Sequence, residues 1–286
     1  MSTTTALTSS GAPGDRHSSA TGHHQGRSPS HAGGSGSDST ATGLHRPSWA
    51  RLVTIEVRKS VDTRAGWALL AGTFALALIG VGWKLTHLPG QPASYEDWLG
   101  SASTGVVLLI PVFGVMAMTS EWSQRTVLTT FTLSPRRGRV FSAKLAAAVV
   151  LELGLTLGLM GVATVGVLLG SSIDGHGIHW GHSGTLIGGL LAASTVNVLL
   201  GVAIGALAGS TPIAITALFV APSAWQIIAG HVLHDQAKWL DIYKTIGHVS
   251  EIDLRGHIAS DLTAVIAWIV LPTALGARRA LRRDVS

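Results

Sequence analysis

The chain has 286 residues, of which 47% are hydrophobic and only 12% charged, about half the charged share of an ordinary soluble domain. The formal net charge is +5, but the basic residues flank apolar runs and form no continuous stripe, which argues against a nucleic-acid face. There is no cysteine, so disulfide frameworks, thiol catalysis and thiolate metal sites are excluded.

Residues 1–46 are rich in Ser, Thr, Gly and His and have no apolar periodicity, which predicts a disordered tail. No apolar core follows a basic start near Met1, so the first span is expected to direct its own insertion. In Ser48–Arg64, Trp49, Leu52, Val53, Val57 and Val61 share one side of a helical projection. Arg51, Arg58 and Asp62 lie opposite, as in a helix lying in a membrane interface. Glu56 falls on the apolar side, with Lys59 and Ser60 as its nearest local partners.

A bilayer core of about 30 Å needs about 20 apolar residues per helix. Ser183–Gly230 contains no Asp, Glu, Lys, Arg or His and is long enough to cross twice. Spans are predicted at Gly66–Trp83, Ser101–Ser120, Leu145–Gly170, Gly184–Gly209, Thr211–Gly230 and Leu262–Ala277. The expected fold is therefore an all-α polytopic membrane protein with six spans and an N-terminal amphipathic helix. Gly209-Ser210-Thr211-Pro212 breaks the fourth span from the fifth, because Pro212 can open a helix but not continue one. Asp261 is placed to cap the outer end of the sixth span, and Arg278 to snorkel at its inner end.

Sixteen of the twenty Lys and Arg fall in the tail to Arg64, the 121–144 loop and the C-terminus; Lys84, Lys238, Lys244 and Arg255 fall on the other side. The positive-inside rule then puts both termini in the cytoplasm. The loop, EWSQRTVLTTFTLSPRRGRVFSAK, is divided by Ser134-Pro135, where Ser is a good N-cap and Pro a favoured first helical residue. Lipid anchoring explains Arg136, Arg137 and Arg139 but not the Glu121-to-Thr126 half.

Within the spans, Glu152 is the only acid. It is either a structural carboxylate bonded to Ser or Thr or a group lining a transport path, and the residues leave both open. Asn197 and Gln226 have the chemistry of interhelical hydrogen-bond partners or of path-lining groups. Gly201, Gly205 and Gly209, and likewise Gly154 and Gly158, are spaced for close helix packing, and Pro111, Pro222 and Pro272 for kinks. Outside, His176, His179 and His182 have a zinc-like spacing, but their Gly-rich loop offers nothing to fix ligand geometry, so no metal is expected. Trp239, Ile242, Tyr243 and Ile246, in the extracellular segment 231–260, predict a short helix on the outer surface.

Three pieces together resemble the permease subunits of type-2 ABC transporters, over residue 47 to the C-terminus. They are Glu56-Val57-Arg58-Lys59-Ser60-Val61-Asp62-Thr63-Arg64; the loop with Glu121, Thr126, Ser134-Pro135-Arg136-Arg137 and Ala143-Lys144; and Trp268-Ile269-Val270-Leu271-Pro272 leading into Arg278-Arg279-Ala280-Leu281-Arg282-Arg283. The resemblance implies an elbow helix at 47–64, a six-span permease domain at 65–277 and a basic cytoplasmic tail at 278–286. It also implies that the 121–144 segment docks on a separate ATPase subunit through Glu121, Arg125, Thr126, Ser134, Pro135, Arg136, Arg137, Arg139 and Lys144. Two such permeases, alike or different, would enclose a path for export across the cell membrane. ATP and Mg2+ would belong to the partner, since this chain has no G-x-x-x-x-G-K-S/T loop. The competing classes are an ATPase-independent secondary transporter and an intramembrane hydrolase. The first normally shows an internal repeat and several buried ionisable groups. The second needs paired catalytic groups at membrane depth, and Glu152 has no such partner.

Overall fold

The computed structural model describes residues 48–88, 90, 92–123, 137–253 and 255–282. The expected tail at 1–46, the Ser134-Pro135 helix start, Arg125, Thr126, Arg136 and Arg283 lie outside the described residues, as do the side chains of Glu121 and Arg137.

Helix α1 (Trp49–Val61) starts where Ser48 Oγ accepts from the Arg51 N–H at 3.3 Å. Leu52, Val53, Val57 and Val61 are half-buried, while Arg51, Arg58 and Asp62 are exposed, so the amphipathic pattern sorts as expected except at Trp49, which is 46% exposed at the first turn. Helix α2 (Arg64–Thr86) follows almost at once, with Thr63 Oγ1 accepting from the Gly66 N–H at 3.0 Å. The turn is so tight that a Cβ on Gly66 would stand 1.9 Å from Ser60 O.

The chain continues through β1 (Ala93–Ser94), α3 (Tyr95–Ser123), α4 (Arg137–Asp174), β2 (Ile178–His179), α5 (Ser183–Ala208) and α6 (Thr211–Val232). A 3-10 turn at His234–Leu240 and helix α7 (Ile242–Glu251) then lead to α8 (Ile258–Val265), a π turn at Ile266–Val270 and α9 (Leu271–Arg282). β1 and β2 form a two-residue parallel pair, Ala93 with Ile178 and Ser94 with His179.

Six segments are long and apolar enough to cross a membrane: Arg64–Thr86, Tyr95–Ser120, Gly138–Asp174, Ser183–Ala208, Thr211–Val232 and Ile258–Ala280. The protein is an all-α, multi-pass membrane protein. Most spans run beyond their predicted bounds because polar residues at their ends remain helical, whereas the fourth stops at Ala208, with Gly209 as its cap; α4, with 38 residues, is about 57 Å long. In α3 and α5, 59% and 56% of the apolar window is buried, against 22% in α2, α6 and the sixth span, so α3 and α5 form the middle of the bundle. Large apolar side chains such as Trp67, Ile79, Leu168, Ile227 and Val270 face outward, where a bilayer rather than water would be their solvent.

The α3–α5 contact is backbone-close. A Cβ on Gly201 would lie 1.9 Å from Pro111 O, and one on Gly114 would lie 2.3 Å from Val198 O. Gly205 belongs to the same ridge, but Gly209 does not: it is the left-handed C-cap of α5 at φ 65°, with open space where a Cβ would stand. Gly154 likewise faces open space, whereas a Cβ on Gly158 would meet the Phe74 ring at 3.1 Å.

The 231–260 segment differs from the single helix expected. Asp241 caps α7, its Oδ1 accepting from the Lys244 N–H at 3.1 Å. Ile242 is fully buried, Tyr243 and Ile246 are half-buried, and Trp239 sits on the preceding 3-10 turn. Asp261 does not cap the sixth span, which begins earlier, at Ile258. The Asp261 carboxylate is buried and accepts instead from Thr245 Oγ1 at 3.1 Å, with His248 Nδ1 at 3.0 Å.

Candidate functional site

Glu56 was expected to find a partner within its own helix. Its Oε2 lies 2.9 Å from Lys144 Nζ, two turns into α4, and the two side chains are only 15% and 7% exposed. The pairing has a simple physical cause: an acid on the inward face of an amphipathic helix is drawn away from water and needs a cation at the same depth. Lys144, expected in the loop, is instead a buried residue of α4. A second tie runs alongside, with Trp49 Nε1 donating to Ser142 Oγ at 3.1 Å. Helix α1 is thus fixed to the first turns of the helix that emerges from the 121–136 segment.

The remaining α1 candidates divide by face. Arg58 and Asp62 form an exposed pair at 3.4 Å, worth little to stability, and Arg64 is exposed at the start of α2. Lys59 is half-buried and engaged within the protein. Together with Glu56 it lines a partly open groove of about 610 Å³ between α1, the first turns of α2, the last turns of α3 and the start of α6. Ala65, Ala68, Leu69, Val112, Phe113, Met116, Pro212 and Ile215 make its apolar wall; Ser60, Thr63, Ser120 and Thr211 add hydroxyls. Nothing in the linear order of residues announces this groove, because its walls come from four elements with no shared motif. Of the expected loop residues, Arg139 is half-buried on the first turn of α4.

Glu152 sits in mid-span on α4 and is 1% exposed. Its Oε1 accepts from Thr156 Oγ1 at 3.1 Å and from Ser194 Oγ, and its Oε2 accepts from Thr195 Oγ1 at 3.0 Å. These bonds join α4 to α5 by side chains alone. Asn197, one turn further along α5, donates from Nδ2 to Val107 O of α3 at 2.9 Å. Glu152 and Asn197 therefore belong to one buried polar seam through three helices. Gln226 is not part of it: it is exposed on α6. At the basic end, Arg279 Nη1 donates to Leu207 O at 3.1 Å and satisfies a terminal carbonyl of α5, while Arg278 stays exposed.

Among the described residues no three His, Cys, Asp or Glu side chains gather as metal ligands. His176 turns back on its own loop, its Nδ1 lying 2.9 Å from Asp174 O, while His179 lies in β2 and His182 at the start of α5. Compared with family models, curated proteins and solved structures, the chain matches none.

Proposed function

We propose that this chain is the membrane-spanning permease subunit of an ATP-driven transporter, working in export from the cell membrane with both termini cytoplasmic. A separate ATPase subunit binds ATP and Mg2+, and a second permease subunit completes the path. The observation that carries this reading is the Glu56–Lys144 pair beside the groove. Two of the three segments that resemble type-2 ABC permeases, the α1 region and the end of the 121–144 loop, meet in that pair. Glu56 is at once a wall of the groove and the attachment of α1 to α4. A push on the 121–136 segment would reach α4 first, then α1 through the pair, and then the groove. Physical continuity of this kind is what a transporter needs to pass work from one site to another.

A second reading, a transporter that uses an ion gradient without an ATPase, draws on one observation: Glu152 is a buried acid in mid-span. Its hydroxyl partners already give it a structural role, so the first reading is preferred.

The test is affinity purification of the full chain from its native membrane. The expected partner is a protein with a phosphate-binding G-x-x-x-x-G-K-S/T loop whose ATP hydrolysis co-purifies, and which is lost when Arg136 and Arg137 are both changed to Glu. A purified chain that moves cargo uphill without any such partner overturns the proposal.

A further inference from the structure

The groove has a direction. In each membrane helix that lines it, the polar residue lies at the α1 end and the apolar residues lie deeper: Thr63 before Leu69, Ser120 after Val112, Thr211 before Ile215. At about 1.5 Å per residue those steps are about 9, 12 and 6 Å long. Three helices of different sequence therefore share one polarity gradient, hydroxyls at the mouth and hydrocarbon below. Of the charged groups at the mouth, Glu56 is paired with Lys144, and Lys59 makes a contact of its own within the protein. What the mouth offers a guest is hydroxyl chemistry. Both hydroxyls spend their protons locally, Ser60 on Glu56 O at 2.9 Å and Thr63 on Ser60 O at 3.4 Å, and Thr63 Oγ1 also accepts from the Gly66 N–H at 3.0 Å; each oxygen keeps a lone pair that can accept from the hydroxyl of a guest. The volume of about 610 Å³ falls within the roughly 300–1,000 Å³ of small-molecule sites.

The geometry points to a binding site for an amphiphile with an uncharged, hydroxyl-bearing head and a hydrocarbon tail, taken from the leaflet on the α1 side. Head and tail match the gradient. An ionic head would bring a further charge beside the closed Glu56–Lys144 pair, in a poorly hydrated place where hydroxyls are the main polar groups on the wall. The inference deepens the permease reading by naming the class of cargo, and it rests on that reading only for the step from binding to transport.

The test uses the purified full chain in phosphatidylcholine vesicles, with three single-chain photoreactive probes that share one diazirine tail: a monoacylglycerol, an alkyl sulfonate and an alkyl trimethylammonium. Labelled positions are mapped by peptide mass spectrometry. The monoacylglycerol is expected to label the Leu69, Met116 and Ile215 peptides roughly tenfold more than either ionic probe, a difference of about 1.4 kcal/mol. Ala68→Trp, at an exposed position that intrudes on no core, is expected to abolish that preference. Ile215→Trp fills the groove from the opposite wall and serves as a second variant. The proposal is overturned if all three probes label the groove alike, or if labelling there persists with both tryptophans in place. Binding needs no ATPase, so an uncharged preference without any ATPase partner sinks only the permease reading. An ATPase complex that shows no such preference sinks only this inference.

Discussion

Glu56 and Lys144 are 88 residues apart in sequence and 2.9 Å apart in space, and with the Trp49–Ser142 bond they tie α1 to α4. Removing one member of a buried pair leaves the other charge without compensation, which typically costs about 3–5 kcal/mol, less where the stranded group keeps some access to water, as Glu56 does at 15% exposure. Lys144→Met is expected to lower stability by about 2–3 kcal/mol. The exchange Glu56→Lys with Lys144→Glu is expected to recover part of that loss. Thermal unfolding in detergent measures both; an exchange no better than the single change would show that the pair does not act as a unit.

Gly201 and Gly154 lie on membrane helices and look alike in the sequence, but they should respond oppositely to alanine. Gly201→Ala puts a methyl 1.9 Å from Pro111 O and must push α3 from α5, at a cost of about 1–3 kcal/mol or more. Gly154→Ala meets nothing and should stabilise α4 by up to about 1 kcal/mol. Paired melting curves decide the point.

Glu152→Gln should leave the fold nearly unchanged, within about 1 kcal/mol. The amide can still accept, and the hydroxyls have other acceptors: Ser194 Oγ reaches Leu190 O at 2.7 Å and Thr195 Oγ1 reaches Leu191 O at 2.8 Å. If transport falls while the melting temperature holds, Glu152 acts in the path as well as in the scaffold.

Asp261→Ala removes the buried acceptor shared by Thr245 and His248. Thr245 can fall back on Asp241 O, at 3.2 Å, but among the described residues the Asp261 carboxylate is the one acceptor given to the His248 ring. Faster proteolysis between 234 and 257, with the six spans intact, is the expected outcome.

The six spans were legible because hydrocarbon length and charge exclusion act on whole segments. The α5–α6 turn was legible because Gly209 and Pro212 each have one strong local preference. The seam and the groove were not. Glu152 announced itself as costly without revealing that Ser194 and Thr195 faced it, since helix facing depends on packing between elements distant in sequence. Lys144 was misplaced for the same reason: a basic residue at the end of a charged stretch reads as loop until an acid on another helix claims it. Asp261, a good capping residue by type, was drawn into the bundle by α7 instead.

The widened turn at Ile266–Val270 leaves a signature along the sixth span. The Leu271 N–H reaches back five residues to Ile266 O, and Pro272, lacking its own N–H, follows directly. Buried positions step from Asp261 to Ala264, then by five to Ile269, then to Pro272 and Gly276. The span is therefore two half-screws out of phase, joined by one surplus residue. Deleting a single residue there would rewind it evenly and turn everything beyond by about 100°. Arg279 would swing away from Leu207, and Gly276 would no longer meet Ala206. Length at this point is thus constrained independently of the side chains, of which Trp268 bonds Leu240 O at 2.8 Å and Ile269 is buried, so natural variation should leave the residue count of the turn unchanged.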